Sequence, residues 1–274
     1  VSALSGQTVG GRCWNEEGLD MVVLGAGRVG TALLLAAQDR GASCSIVSRT
    51  AGWDVLDGQA GEPVIVATRN DDLAGVVERV PAHRTSDLVF VQNGMLTPWL
   101  RSRGLDGCTR GLLFFAAASV GERAQPGPQP SPFSGPHAAL VVGWLSAVEI
   151  PAVAVDPASF AAFAIEKLVW NCAFGVLCQA HACDVGEVCE HHEPELRTLV
   201  QELAAIARAA AHVDLPVDWL LPRLLAYSRT IPTYRASVKE WRWRDGWFVE
   251  EARRLGLSRP VHHQLLTQLG EATD

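Results

Sequence analysis

Met21-Val22-Val23-Leu24-Gly25-Ala26-Gly27-Arg28-Val29-Gly30 joins four apolar residues to a turn with the spacing Gly-x-Gly-x-x-Gly, and a helical pattern follows over 31–40. A buried strand entering such a turn and leaving as a helix is the dinucleotide-binding arrangement. Gly25 permits the tight turn, Gly27 lets the backbone approach a pyrophosphate, and Gly30 lets the helix pack close to the sheet. The helix aims its unpaired N–H groups and positive dipole end at that phosphate. Residues 25–30, including Ala26, Arg28 and Val29, are therefore the expected phosphate cradle. A glycine-rich structural turn is the bland alternative.

Outward from this unit, strand-like runs at 43–48, 63–68 and 88–91 alternate with helical stretches. Asp71 or Asp72 is expected to cap a helix reaching about residue 80. The alternation implies an α/β, Rossmann-type, doubly wound parallel sheet. Runs at 112–120 and 138–142 also read as strands. Between them Gln125-Pro126-Gly127-Pro128-Gln129-Pro130-Ser131-Pro132 reads as a proline-stiffened surface loop, since proline suits neither helix nor central strand. From Asp156 onward strand signals stop. Helices are expected over 157–178, with Asp156 at the N-cap and Pro157 at the first position, then 194–212, 216–227, 233–254 and 260–270. The expected division is 20–156, a dinucleotide-binding Rossmann-like domain, and 157–274, an all-helical substrate and catalytic domain. Residues 1–19 read as an extended lead-in.

The chain has 274 residues, 48% of them hydrophobic, enough for a sizeable core. Its formal net charge is −7 and no basic stripe appears, which argues against nucleic acid. No apolar run reads as long enough to span a bilayer. Seven cysteines at loose spacing argue against a disulfide framework and for a reducing compartment, cytoplasmic or, if a leader was removed, an organelle matrix or stroma. The cysteines and histidines over 172–192 lack zinc-ligand spacing, so no metal is expected. A homodimer, or incorporation in a larger assembly, is compatible with the sequence.

NAD-binding folds carry an acidic residue about 20 positions after the glycine turn. Here the second strand ends Ser45-Ile46-Val47-Ser48-Arg49-Thr50, without a carboxylate. Ser48 and Arg49 can donate to a 2′-phosphate, so NADP is favoured as cofactor. An ordinary solvated arginine is the alternative for Arg49.

Further motifs resemble the ketopantoate reductase (2-dehydropantoate 2-reductase) family over about residues 21–270. They are Ala67-Thr68-Arg69-Asn70, where the family has a strand ending in Thr-Lys; Gln92-Asn93-Gly94, unchanged; and Lys167-Leu168-Val169-Trp170-Asn171, its Lys-x-x-x-Asn helix motif. Glu240 matches the family's catalytic glutamate, and Ser228, twelve residues earlier, its substrate-binding serine. The chain departs where Gly175 replaces a second asparagine, where 227–232 reads Tyr-Ser-Arg-Thr-Ile-Pro, and where Trp241 and Arg242 follow the glutamate. The resemblance implies a divergent, NADP-dependent two-domain oxidoreductase that reduces a small 2-oxo acid or related carbonyl.

It further implies the roles. Lys167 would stabilise the developing alkoxide and donate its proton as general acid. Glu240 would orient lysine and substrate. Asn93, Asn171 and Ser228 would contact substrate, and Thr68, Arg69 and Asn93 the cofactor side of the cleft. Each residue has a structural alternative: a snorkelling lysine, a helix-linking asparagine, a glutamate on a charged helix face, a local serine cap. The segment Trp241-Arg242-Trp243-Arg244-Asp245-Gly246-Trp247 could stack on substrate, anchor an interface or simply pack. Two other functions stay open: a catalytically inactive NADP-binding subunit with an assembly or sensing role, and a related dehydrogenase acting on imines or decarboxylating hydroxy acids.

Overall fold

The computed structural model describes residues 20–117 and 119–271. The expected lead-in at 1–19, with Cys13, lies outside the described residues. The first strand, β1 (Met21–Leu24), runs into α1 (Arg28–Arg40) and then β2 (Cys44–Val47). The chain continues through β3 (Val64–Val66), α2 (Leu73–Arg79), β4 (Leu88–Phe90), α3 (Thr97–Ser102) and β5 (Thr109–Gly111). A small hairpin, β6 (Phe115–Ala116) with β7 (Gln125–Pro126), precedes β8 (Ser131–Ser134), α4 (Ala138–Ala147) and β9 (Ala152–Ala154). The main sheet has the order β2-β1-β3-β4-β5-β8-β9, parallel except between β5 and β8. The chain leaves β1 toward β2 on one side and returns to β3 on the other. The carboxyl ends of β1 and β3 thus flank the crevice where such sheets bind ligands.

The rest is helical: α5 (Pro157–Ala180), α6 (Val185–His191), α7 (Glu193–Ala211), α8 (Val217–Ser228), α9 (Asp245–Leu255) and α10 (Pro260–Gln268). Asp156 caps α5 by accepting from the backbone N–H of Ala158 at 2.9 Å and Ser159 at 3.0 Å. α5 is the hub, packed against α6, α7, α8 and α10. α7 buries Leu196, Leu199, Val200, Leu203 and Ile206 at helical spacing against it, each contributing roughly 1.5–3 kcal/mol.

Several expectations are corrected. Residues 138–147 form a helix, not a strand, because Ala138, Val141, Trp144 and Leu145 bury at helical spacing on one sheet face; a short apolar run fits either periodicity. The strand expected over 112–120 is displaced to Thr109–Gly111, and among the described residues of that run Phe115–Ala116 alone form a further strand, paired with β7. The proline-rich loop ends inside the sheet. Ser131 and Pro132 begin β8 between β5 and β9, and Pro132 lies opposite Leu112, past the end of β5, where its carbonyl still accepts from Leu112 N at 3.0 Å.

Neither Asp71 nor Asp72 caps α2 through its side chain; a 3-10 turn over Asn70–Asp72 leads in instead. The helix expected over 233–254 begins only at Asp245, after a 3-10 turn at Trp241–Trp243. α6 and β9 were not read from the sequence. α5, with 24 residues, is long and apolar enough to cross a bilayer by length and composition, although Glu166 and Lys167 interrupt it. Here it is the buried core of the helical half.

Candidate active site

At the β1–α1 turn Gly25 has φ +118°, a conformation L side chains rarely adopt, and a Cβ there would lie 3.0 Å from the Ala67 carbonyl. A Cβ at Gly30 would strike the Gly25 carbonyl oxygen at 1.9 Å, so turn and helix can close only on glycine. In front of Gly27 the space is open, with no protein atom within 4 Å of a Cβ position. No side chain caps α1 and its first turn holds no acid. Thr68, beside the turn, keeps a buried hydroxyl oxygen without a hydrogen-bond partner, and Gln92 Oε1 is likewise orphaned. Such buried orphans call for a partner. Arg28, Arg49 and Arg69 are exposed around this edge. The Ser48 hydroxyl accepts from Ala51 N at 3.1 Å, and the Arg49 carbonyl accepts from Arg79 at 2.8 Å, which fixes the loop that carries Arg49. Open backbone, helix dipole, orphaned acceptors and exposed guanidinium groups fit a nicotinamide dinucleotide.

Lys167, on the side of α5 that faces the sheet half, donates from Nζ to the Leu113 carbonyl at 2.8 Å and lies 4.4 Å from the Phe114 ring centroid. Burial, and secondarily the charge of Arg244, pull its pKa down to about 7. One turn on, Asn171 donates to the Lys167 carbonyl at 2.8 Å and accepts from Arg244 Nη1 at 3.4 Å. Arg244 is buried, donates to Glu240 Oε2 at 2.6 Å, and leaves its Nε without a partner. Glu240 sits in the left-handed region at φ +51°, a local strain held by this ion pair and the following turn.

The loop Gln92-Asn93-Gly94 docks on the same segment. Met95 N donates to the Trp243 carbonyl at 2.7 Å, and a Cβ at Gly94 (φ +95°) would meet that oxygen at 2.5 Å. Asn70 Nδ2 donates to the Asn93 carbonyl at 2.9 Å, which holds Asn93 at the carboxyl end of β4.

Lys167, Asn171 and Glu240 are thus gathered through a residue not singled out from the sequence, Arg244. Its spacing of four from Glu240 was the available signal, absorbed into the reading of a charged helix face. Glu240 pairs with Arg244 rather than with the lysine, a correction to its expected place. Ser228 is also corrected. It is fully buried, its hydroxyl accepts from Trp170 Nε1 at 2.9 Å, and it stands behind Trp170 rather than in the cleft. Gln92, which donates to the Val66 carbonyl at 2.8 Å and ties the ends of β3 and β4 together, was likewise missed as a site residue.

The tryptophans of the aromatic-basic segment pack. Trp243 enters the core of the sheet half, edge-on to Trp99 at 6.1 Å, and donates to Asp71 at 3.1 Å. Trp247 lies in the helical core. The histidines beyond α5 do come together: His181 and His192 stack at 3.9 Å, with the Glu195 carboxylate 2.8 Å from His181 Nε2. The buried cysteines nearby are free thiols, and burial lifts Cys178 to about 12.

Beside Lys167 opens a cavity of about 340 Å³ between α5, α8 and the strand-end loops of the sheet half. Phe114, Trp170, Leu224 and Tyr227 form its walls, and the Glu166–Arg223 pair, 3.0 Å apart, closes one side.

Residues 160–272 match the family model described as ketopantoate reductase PanE/ApbA C terminal. The helical half thus matches that family's C-terminal domain, and over these residues the resemblance read from the sequence is borne out. A search of curated proteins gives no significant match. Among solved structures, D-mandelate dehydrogenase with NADH superposes with TM-score 0.73 at 14% identity, covering 92% of this chain and 98% of that one. A PanE/ApbA family ketopantoate reductase from Ralstonia eutropha JMP134 gives 0.71 at 18% identity, covering 91% and 97%. The 2-dehydropantoate 2-reductase from Methylococcus capsulatus gives 0.71 at 18%, covering 92% and 96%. At these identities the likeness shows the fold: a mostly parallel α/β sheet followed by a helical unit.

Proposed function

We propose that the chain is a nicotinamide-dependent oxidoreductase that reduces the carbonyl of a 2-oxo acid or related compound, with residues 20–156 holding the cofactor and 157–274 supplying the substrate and catalytic groups. The observation that carries this reading is the Lys167 ammonium, delivered by the helical half against the Leu113 carbonyl at the edge of the sheet half. The structural relatives described as reductases and dehydrogenases support it.

NADPH is the proposed donor. Ser48 and Arg49 stand where a carboxylate would favour NAD, and the exposed Arg49 is free to meet a 2′-phosphate. Gly25, Ala26, Gly27, Arg28, Val29 and Gly30 would cradle the pyrophosphate, and Thr68, Arg69 and Asn93 would line the way to the reacting ring. The bound cofactor supplies a hydride to the carbonyl carbon. Lys167 supplies a proton to the carbonyl oxygen, so ketone becomes hydroxyl and the lysine is left as a neutral amine to be recharged by water. Arg244, held by Glu240 and Asn171, keeps positive charge near the growing alkoxide without consuming a proton. Asn93 and Asn171 are the proposed amide contacts for substrate oxygens.

The test is cofactor oxidation by purified protein over a panel of 2-oxo acids, with NADPH and NADH compared directly. Lys167→Ala is expected to lower kcat by about 10²–10⁴-fold, the usual worth of a positioned acid, while NADPH affinity is preserved. Full turnover by the alanine variant would remove the lysine from the mechanism.

A further inference from the structure

We infer that the cavity beside Lys167 receives a bulky, ring-bearing side chain, so that the acid reduced is an aryl-substituted 2-oxo acid rather than a short or hydroxylated one; the inference rests on the reductase reading above.

Position comes first. Lys167 itself lines the cavity, and its ammonium lies over the ring of Phe114, the adjoining wall. A carbonyl oxygen presented to this ammonium therefore carries its substituent toward that wall. The chemistry of the walls comes second. Trp170 meets Tyr227 edge-on at 5.1 Å and 80°, so two ring systems converge there with Phe114 and the Leu224 side chain. Aromatic groups prefer such offset and edge-on partners.

Several polar atoms on these walls are already committed. Trp170 Nε1 donates to Ser228, Arg223 to Glu166, and the Thr230 hydroxyl to the Tyr227 carbonyl at 2.7 Å. Free polar capacity remains on the Lys167 ammonium, on the Arg223 amino groups beside Glu166, on the Tyr227 hydroxyl and on the Gln129 amide, while Phe114, Trp170, Leu224 and Pro128 offer apolar surface. A hydroxylated substituent laid against those rings and Leu224 would exchange water for few partners, which is unfavourable. An apolar ring would lose nothing and bury its surface.

Size agrees. An apolar cavity of about 150 Å³ already holds a benzene ring. The 340 Å³ here accommodates an aryl group with a short linker. Two cations stand near for the acid's carboxylate: Arg223 in the cavity lining, which engages Glu166 through Nε alone, and Arg244, whose charge acts on Lys167.

The experiment has two arms on the NADPH-loaded full chain. Phenylpyruvate is expected to exceed pyruvate in kcat/KM by at least about 100-fold, since even one methylene in a fitted pocket is worth about 10–200-fold. Ala226→Trp, at an exposed lining position on α8, fills the cavity from its rim. It is expected to cut that ratio at least about tenfold with unchanged circular dichroism.

In the second arm, phenylpropionate and propionate, which have no ketone, are titrated calorimetrically; phenylpropionate binds, propionate does not, and Ala226→Trp weakens the former. Turnover of pyruvate at equal or better efficiency, without phenylpropionate binding, overturns the inference and leaves the reductase reading standing. Phenylpropionate binding without oxidation of NADPH by any 2-oxo acid upholds the aryl site and overturns the reductase reading. Neither binding nor turnover overturns both.

Discussion

At Lys167 two effects act against the charged form: loss of water around the ammonium and the nearby guanidinium of Arg244. Together they bring its pKa from the ordinary 10.5 to about 7, within reach of efficient proton transfer at neutral pH. In the proposed mechanism the acid form drives reduction, so kcat/KM for reduction is expected to fall as pH rises through about 7. Arg244→Gln removes the repulsive charge and should move that limb to higher pH while lowering the maximal rate; an unmoved limb in the pH–rate profile would dissociate Arg244 from the lysine. The same depression has a stability side. Between about 7 and 10.5 the unfolded chain holds a proton on Lys167 that the folded chain lacks, so this site's contribution to stability rises with pH across that window.

At the scale of elements, the β1–α1 unit was fully legible. Its apolar strand, glycine spacing and helix lie within a few residues of one another, and local sterics dictate the result. Gly30→Ala places a methyl where the Gly25 carbonyl oxygen stands, at 1.9 Å. The expected cost is about 1–3 kcal/mol in thermal or denaturant unfolding, with weakened NADPH binding by fluorescence titration because the turn must open. Unchanged stability and affinity would contradict the close approach.

The α4 and 233–254 segments were misread for a different reason. Residues 138–142 are apolar enough for strand or helix, and the sheet face on which they lie chose the helix. Around Trp243 the helical pattern is real, but burying that indole in the sheet half required Glu240 in the left-handed region and a tighter 3-10 turn.

Across the whole molecule, one side chain does much of the joining. Trp243 belongs by sequence to the helical half and by packing to the core of the sheet half, where its carbonyl and indole are also hydrogen-bonded. Arg244 follows directly, so the same insertion that joins the halves sets the cation beside Lys167. Trp243→Ala is expected to cost about 3–5 kcal/mol, to separate denaturant unfolding into two transitions, and to reduce turnover more than NADPH affinity. A single unshifted transition with normal kcat would show that the halves are joined elsewhere.

From the sequence alone came whatever rests on neighbours along the chain: the glycine turn, the missing acid after β2, the Asp156 cap, and the placing of Lys167 four residues before Asn171 on one helix face. Periodicity and backbone sterics act over a few residues, and a linear reading captures them. Only the tertiary structure decided that Arg244 links Glu240 to Asn171, that Ser228 turns inward to Trp170, and that three ring systems enclose a cavity beside the lysine. Those outcomes depend on which surfaces meet across long stretches of chain, as from Trp170 to Ser228, 58 positions apart, and from Asn171 to Arg244, 73 apart. There burial and hydrogen-bond satisfaction, rather than local propensity, select the partner.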